Sequence, residues 1–188
     1  YEIRKYQIPE DEIRALVKEK REILVRQQQM LKEHKLPVYV LTEGWGAAGK
    51  GTLIGNLIKD LDPRFFHVIH MGPPNENEAR KPFLWRYMET IPEAGKFVFL
   101  NSGWLDETAE DWMCDRIGEE ELEKRLRQIG TFERQLKDNG YLVVKLFLHI
   151  PKQEQKQRLL KLKEKKDTEW RVADKDILQI KKREKYEK

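Results

Sequence analysis

Residues 38–52 read VYVLTEGWGAAGKGT, an apolar and β-branched run that leads into a glycine-rich turn. The run predicts a buried strand, because apolar and β-branched residues dominate strands that are covered on both faces. The residues from Gly44 to Lys50 match the phosphate-binding motif G-x-x-x-x-G-K, which lies between a strand and a helix. A helix is predicted directly behind the turn, since apolar residues recur there at helical spacing: Leu53, Ile54, Leu57, Ile58 and Leu61. The stretch therefore predicts a phosphate site.

The chemistry of this loop assigns its residues a role. Glycines let successive backbone N–H groups turn toward an anion, and the start of the helix adds partial positive charge. Lys50 supplies a mobile charge for the outer phosphates, and Thr52 a hydroxyl for a phosphate or its Mg²⁺. An ordinary strand–turn–helix corner that contains a lysine is the alternative, and the strand and helix around the motif favour the phosphate site. The predicted phosphate-binding residues are Gly44, Gly46, Ala47, Ala48, Gly49, Lys50, Gly51 and Thr52.

Length and composition predict one α/β domain of 188 residues with a sizeable core. Charged residues make up 37% of the chain, and no apolar run approaches the ~20 residues of a membrane span. The first residues lack the apolar core of a signal peptide. The single cysteine, Cys114, rules out an internal disulfide and fits a reducing compartment. We therefore expect a cytoplasmic protein without a membrane partner.

The positive charge of the chain is concentrated near its C-terminus. Residues 152–188 carry 14 Lys and Arg against 8 Asp and Glu, whereas the net charge of the whole chain is only +4. A basic surface attracts polyanions. A run of charges is also typical of a solvated helix face, and the sequence leaves both interpretations open.

Strands and helices alternate along the predicted elements. They are helix 9–34, the strand before the loop, strand 66–70, helix 76–88, strand 97–100, helix 119–138, strand 142–150, helix 152–166 and a final helix that runs to the end. This alternation predicts a parallel sheet covered by helices on both faces. Ligands of such sheets bind at the carboxyl ends of the strands. Glu43 and Gly44, His70 and Gly72, and Asn101 should therefore converge on one cleft.

A highly charged substrate needs cations around it, and six arginines lie outside the predicted core strands: Arg80, Arg86, Arg116, Arg134, Arg158 and Arg171. Mg²⁺ would prefer a carboxylate at the end of the third strand. Asn101 occupies that position, and its neutral amide is a poor Mg²⁺ ligand. The nearest carboxylate downstream belongs to Asp106, which makes both residues candidates for the metal site.

Several motifs, taken in chain order, resemble the polyphosphate kinase 2 family. They are residues 43–51 (family E-G-x-D-A-A-G-K-G), 61–64 (L-(N/D)-P-R), Pro74 with Glu76 and Glu78, then Arg86-Tyr87, Pro92 and Gly95 (P-T-x-x-E…R-Y…L-P…G), 99–105 (F-D-R-S-W-Y), 132–134 (F-E-R), and Trp170-Arg171 with Asp176 (W-K-x-x-x-x-D). The likeness runs from about residue 1 to 188. Family members continue with further C-terminal helices, so the resemblance implies that such helices are missing after Lys188.

The resemblance implies a P-loop kinase-like, three-layer α/β/α fold with a helical lid at about residues 152–176, all within a single domain 1–188. It implies Mg²⁺-dependent phosphoryl transfer between inorganic polyphosphate and a nucleoside mono- or diphosphate, whose base is adenine or guanine. The expected assembly is a homo-oligomer, and no nucleic-acid partner is expected. By position, Lys50, Asn101, Arg116 and Arg171 would be catalytic, and Arg134 would bind phosphate. The implied nucleotide contacts are Pro74, Glu78, Arg80, Arg86 and Trp104, and the implied metal ligands are Asn101 and Asp106.

Three departures from the family pattern affect the expected activity. Gly46 replaces the loop aspartate, Asn101 the aspartate after the third strand, and Ser102 the arginine that follows it. Asn101 is isosteric with aspartate, which is consistent with an inactivating replacement or with a degenerate domain. Two alternatives to the polyphosphate reaction therefore stay open. One is an ATP-dependent nucleoside monophosphate kinase, whose loop also ends G-K-G-T, and the other is a polyphosphate- or nucleotide-binding domain without turnover.

Overall fold

A computed structural model describes residues 8–186 of the chain. Its helices are α1 (Glu10–His34), α2 (Lys50–Ile58), α3 (Glu76–Ala79), α4 (Trp85–Met88), α5 (Trp104–Met113), α6 (Glu119–Asp138), α7 (Lys152–Lys163), α8 (Asp174–Lys181) and α9 (Arg183–Tyr186). Its strands are β1 (Val38–Gly44), β2 (Phe66–His70), β3 (Phe97–Asn101) and β4 (Leu142–Leu148), and single 3₁₀ turns lie at Pro63–Phe65 and Glu169–Arg171. The last residues of the predicted final helix, 187 and 188, lie outside the described part.

The four strands form one parallel sheet in the order β2-β3-β1-β4. The register pairs Val38 with Phe97 and Thr42 with Asn101, so β1 and β3 end side by side. Because all strands are parallel, their carboxyl ends and the loops that follow them lie along the same edge of the sheet. The predicted α/β architecture is confirmed.

Alternate residues of the central strands build two separate cores. Tyr39, Leu41, Val98 and Leu100 face one side of the sheet, where they pack with residues of α4, α5 and α6. Their neighbours Val38, Val40, Phe97 and Phe99 face the other side, where they pack with α1 and α2. The side-chain period of a strand is two, so an apolar run such as 38–41 serves both layers at once.

Three local predictions were wrong or incomplete. The helix expected over residues 76–88 is two short helices, α3 and α4, because Pro82 lies between them and cannot continue a helix. Helix α5 was not predicted, although Trp104, Thr108 and Met113 form its buried stripe. Strand β4 lies at the edge of the sheet with Phe147 exposed, and it ends at Leu148 rather than at residue 150.

The C-terminal part of the N-terminal helix α1 packs on the sheet through Leu31 and is tied to the segment before β2. The side-chain amide of Gln28 accepts from the backbone N–H of Asp62 at 2.8 Å and donates to its carbonyl at 3.1 Å. Within residues 8–186, no helix combines the length and the apolar character that a membrane crossing requires.

Candidate active site

The glycine-rich turn joins β1 to α2 and contains three left-handed backbone conformations, at Gly44 (φ 113°), Ala47 (φ 57°) and Gly49 (φ 102°). A β-carbon at Gly44 would lie 2.4 Å from the carbonyl oxygen of Leu148, so only glycine allows β1 and β4 to close here. Helix α2 begins at Lys50, and the first N–H groups of a helix have no partner inside it. The loop therefore has the backbone geometry of an anion site.

Lys50 directly follows this turn, and two groups of the protein hold its side chain. Its ammonium donates to the carbonyl of Gly44 at 2.6 Å and lies 3.1 Å from Oδ2 of Asp106. The other oxygen of Asp106 accepts the N–H of Gly44 at 2.7 Å. Strand β1, the loop and α5 are thus joined around one ion pair, and without a ligand the lysine charge is balanced by Asp106.

A cavity of about 270 Å³ opens beside Lys50 at the carboxyl edge of the sheet. Its walls come from the loop (Gly46), from the segment after β2 (Gly72, Pro74) and from the segment after β3 (Ser102, Gly103). The three segments that the sequence predicted to converge do so. Helix α8 closes a further side of the cavity with Lys175, Asp176 and Gln179, of which only Asp176 belongs to a motif quoted for the family resemblance.

The charged residues that line the cavity carry more acid than base: Asp106, Glu107, Glu110, Asp111 and Asp176 against Lys50, Arg116 and Lys175. The cations are paired with these acids. Arg116 lies 3.0 Å from Glu110 and 2.8 Å from Asp111, and Lys175 lies 3.1 Å from Glu110. A bound polyanion would therefore take the place of these carboxylates around the cations.

Glu43 is a buried acid at the end of β1, next to the segment after β3 that lines the cavity, and the sequence predicted its place at the cleft but no role for it. Its side chain is 2% exposed and accepts the N–H of Leu105 at 3.0 Å, which fixes the first turn of α5. Burial, with a smaller contribution from the nearby Asp106, raises the pKa of Glu43 to about 7. Gly103 must lack a side chain, because its β-carbon would lie 2.5 Å from the Glu43 carboxylate.

Among the predicted nucleotide contacts, Pro74 lines the cavity, whereas Arg86 does not. The Arg86 guanidinium is 8% exposed, donates to the carbonyl of Gly72 at 2.7 Å and lies 3.6 Å from Glu107. Glu78 accepts the N–H of Asn75 in the capping box of α3, and Arg80 is exposed at the end of that helix. Arg86 therefore positions the segment after β2 and does not itself line the cavity.

The structure contradicts the predicted role of Trp104 as a nucleotide contact. The ring is fully buried and packs edge-on against Tyr39, Tyr87 and Phe132. Its indole N–H donates to Glu133 at 2.9 Å. A ring enclosed on every side cannot stack on a base, so Trp104 is a core residue that holds α5 and α6 together.

Three further predicted site residues, Asn101, Arg134 and Arg171, are not part of the cavity wall. Asn101 ends β3 with its side chain toward the start of α2, where its Nδ2 lies 3.9 Å from the position that a β-carbon of Gly51 would take. Arg134 is exposed on α6, and Arg171 is exposed in the 3₁₀ turn before α8, next to Trp170. The cavity wall includes Arg116 but neither Arg134 nor Arg171.

Over residues 8–186, no group of three or more His, Cys, Asp or Glu side chains is arranged to hold a metal ion. Mg²⁺ does not require such a group, since it often takes one or two carboxylates and completes its shell with phosphate oxygens and water. Asp106 at the cavity wall offers one carboxylate, and the amide oxygen of Asn101 is a weaker ligand. The donor set fits Mg²⁺ only if the substrate supplies phosphate oxygens.

The parallel sheet with its glycine-rich loop between β1 and α2 defines an α/β protein of the P-loop kinase type. The family model of Polyphosphate kinase 2 (PPK2) matches residues 7–188, and the chain belongs to this family. In fold, it is similar to the crystal structure of Polyphosphate Kinase 2 from Arthrobacter aurescens TC1. That similarity has a TM-score of 0.88 at 24% identity and covers 96% of this chain and 66% of the other.

The chain is also similar in sequence to relatives that are named for different nucleotide acceptors. The NDP-polyphosphate phosphotransferase 3 of Ruegeria pomeroyi is 31% identical over 163 residues, which cover 87% of this chain and 54% of the relative. The AMP/ADP-polyphosphate phosphotransferase of Meiothermus ruber is 29% identical over 151 residues, which cover 80% of this chain and 57% of the relative. The chain thus spans little more than half the length of these relatives.

Proposed function

We propose that the cavity binds inorganic polyphosphate and a nucleoside mono- or diphosphate and transfers a phosphoryl group between them. The observation that carries this proposal is the position of Lys50, at the start of α2 and at the wall of a cavity built from three strand ends. The names of the relatives, which include NDP-, AMP/ADP- and GDP-polyphosphate phosphotransferases, support the same pair of substrates.

Each part of the site has a separate task in this reaction. The N–H groups at the start of α2 and the ammonium of Lys50 hold the transferring phosphate, which needs positioning and charge neutralisation more than covalent chemistry. Arg116, which also lines the cavity, neutralises a neighbouring phosphate once Glu110 and Asp111 release it. Mg²⁺, when bound beside Asp106, would supply further charge neutralisation for the phosphate oxygens.

A binding domain without turnover is the second candidate, and specific observations favour it. Asn101 provides an amide where a metal-binding carboxylate is expected, and Gly46 provides no side chain in the loop. On this interpretation polyphosphate binds in the same cavity through Lys50, but no phosphoryl group moves.

Phosphorus NMR with polyphosphate and AMP or ADP tests the proposal directly. Nucleotide products that form with the wild type and fall about 10²-fold or more in Lys50→Ala support phosphoryl transfer at this site. Lys50-dependent binding without products supports the binding domain. Turnover with ATP and AMP but not with polyphosphate would identify a nucleoside monophosphate kinase. Equal behaviour of wild type and Lys50→Ala in every arm would refute the phosphate site.

Three further expectations are part of this proposal. Mg²⁺ dependence follows from the charge of the substrates, and the same NMR assay with and without Mg²⁺ measures it. Homo-oligomerisation and a cytoplasmic location stay predictions. Sedimentation of the purified chain at several concentrations tests homo-oligomerisation, because a self-associating protein gains mass as its concentration rises.

A further inference from the structure

Helix α8 lies directly on the phosphate loop and takes part in its hydrogen bonding. The backbone N–H of Gly46 donates to the side-chain carbonyl of Gln179 at 2.8 Å. The carboxylate of Asp176, one turn earlier on α8, fills the space above the same residue. A β-carbon at position 46 would lie 2.0 Å from Oδ1 of Asp176, far inside any permitted contact. Only glycine at this position allows α8 to take this place.

A network behind α8 holds these two side chains. Oδ2 of Asp176 accepts the N–H of Ala173 at 2.9 Å, and only 8% of the Asp176 side chain is exposed. Gln179 also accepts from the fully buried Gln155 of α7 at 3.1 Å. The Arg183 guanidinium of α9 lies 4.0 Å from the ring centroid of Trp45, the loop residue before Gly46. The contact is therefore part of the packing of α7, α8 and α9 on the loop.

These contacts use the groups that a phosphate would use. The N–H of Gly46 belongs to the loop whose backbone donors define the anion site, and Gln179 already accepts from it. The Asp176 carboxylate brings negative charge to the cavity wall that contains Lys50. An anion entering the loop must displace the amide oxygen of Gln179 and approach the charge of Asp176, and both cost free energy.

We propose that Gln179 and Asp176 of α8 set the affinity of this loop for phosphate by competing with it, and that Gly46 makes the competition possible. The inference rests on the proposed function, because the competing ligand is a phosphate chain. A small residue at 46 leaves room for a protein carboxylate and an amide oxygen, so phosphate binds only when α8 withdraws from the loop. Gln179 is then a determinant of ligand affinity, although it is a neutral residue with no role in the chemistry.

The first test measures the affinity of tripolyphosphate by calorimetry without Mg²⁺. Gln179→Ala keeps a good helix former and removes one competing hydrogen bond, so tripolyphosphate should bind about threefold to tenfold more tightly. The matched control is Gln29→Ala, a change at an exposed glutamine of α1 that should leave the affinity unchanged. Unchanged or weaker binding by Gln179→Ala, with normal dependence on Lys50, overturns the competition and leaves the phosphate site intact.

The second test follows α8 itself by amide hydrogen exchange over residues 174–181. Gly46→Ala forces the β-carbon against Asp176, so exchange in α8 should rise by about tenfold or more. Gly55→Ala is the matched control, since a β-carbon at Gly55 meets nothing within 4 Å. Unchanged exchange in Gly46→Ala overturns the proposal.

The two tests separate the possible failures. If neither wild type nor any variant binds tripolyphosphate, the proposed function fails and the competition fails with it. If binding is normal and depends on Lys50 while both α8 tests show no effect, only the competition is refuted. Added tripolyphosphate should also raise the exchange of α8 in the wild type, and a fall in exchange would mean that α8 binds the ligand instead of competing with it.

Discussion

The ammonium of Lys50 and the carboxylate of Asp106 form an ion pair of 3.1 Å at the base of the cavity. Both side chains are nearly buried, at 14% and 12% exposure, so the pair is weakly screened by solvent. Asp106 also accepts the N–H of Gly44 and thereby fixes the loop. One carboxylate thus holds both the backbone and the charged side chain of the phosphate site.

Asp106→Asn should strengthen binding of tripolyphosphate in the absence of Mg²⁺, by about tenfold. The amide oxygen can still accept from Gly44, whereas the negative charge that competes for Lys50 is gone. Calorimetry on the variant and on Asp138→Asn, a change at an exposed position of α6, measures the effect. Equal or weaker binding by Asp106→Asn would show that the ion pair does not compete with the ligand.

Asn101→Asp should raise turnover and tighten the dependence on Mg²⁺ if position 101 is the site of a lost metal ligand. The side chain at 101 faces the start of α2, where an aspartate would add a second carboxylate to the one that Asp106 offers. Initial rates against Mg²⁺ concentration for both proteins are the measurement. Identical curves would mean that another group, such as Asp106, holds the metal or that the domain does not catalyse the reaction.

Glu43→Gln should change how stability depends on pH. The folded pKa of Glu43 is about 7 against an ordinary value of 4.5, because burial favours the protonated form. The folded state therefore binds this proton more tightly than the unfolded state. The stability that depends on it is fully present below pH 4.5 and declines as pH rises through 7, by about 3 kcal/mol in all.

A glutamine at this position has no proton to lose, so Glu43→Gln should gain stability over the wild type as pH rises from 4.5 to 8. Urea unfolding of both proteins across this range measures the difference in unfolding free energy. Glu22→Gln, at an exposed position of α1, is the control and should follow the wild-type curve. A difference between Glu43→Gln and wild type that stays constant with pH would show that Glu43 titrates normally.

Much of the fold follows from local patterns, and the limits of these patterns have physical reasons. The run at 38–44 and the motif at 44–50 predicted β1, the loop and their place at the edge of the sheet, because both depend on neighbouring residues. The prediction of a single helix over 76–88 was wrong. The apolar residues of this segment suit a helix, but Pro82 lies within it and interrupts the helix. Helix α5 was missed although Ser102-Gly103, directly before it, is a turn signal at which a helix can begin.

The contacts between distant elements were not predictable from the sequence. Glu43 and Leu105 are 62 residues apart in the chain, and only the packing of α5 on β1 brings Glu43 against the start of α5, where burial raises its pKa. The approach of Gln179 to Gly46 likewise depends on where α8 packs. Local patterns identified the loop as a site, but its partners come from tertiary structure.

Trp104→Ala should destabilise the fold by about 3–5 kcal/mol, since it empties a fully buried aromatic site between α5 and α6. Trp170→Ala is the matched control, because the Trp170 side chain is 75% exposed and its loss should cost under about 0.5 kcal/mol. Urea unfolding of both variants tests this. A Trp104→Ala protein that is as stable as the wild type but binds nucleotide more weakly would show that Trp104 is a nucleotide contact after all.

The last prediction separates long polyphosphate from ATP as the phosphate donor and concerns the basic end of α7. The guanidinium of Arg158 donates to the carbonyls of Ala47 and Ala48 at 3.3 Å each, which places α7 beside the loop. Lys161 follows Arg158 by one helical turn and is exposed, as are Lys163 and Lys165. A nucleotide with three phosphates is already neutralised by Lys50, Mg²⁺ and one or two arginines. Only a longer polyanion extends to these lysines.

Reversal of Lys161, Lys163 and Lys165 to Glu should therefore weaken long chains by about tenfold or more at low salt and leave ATP and tripolyphosphate nearly unchanged. Reversal of Lys18, Lys20 and Arg26 on α1 gives the same change in net charge and controls for it. In the wild type, affinity should rise with chain length beyond three units, and high salt should reduce that rise, because each added contact releases counterions. If tripolyphosphate and a long chain bind equally well at low salt, α7 is a solvated helix, and ATP becomes the better candidate for the donor.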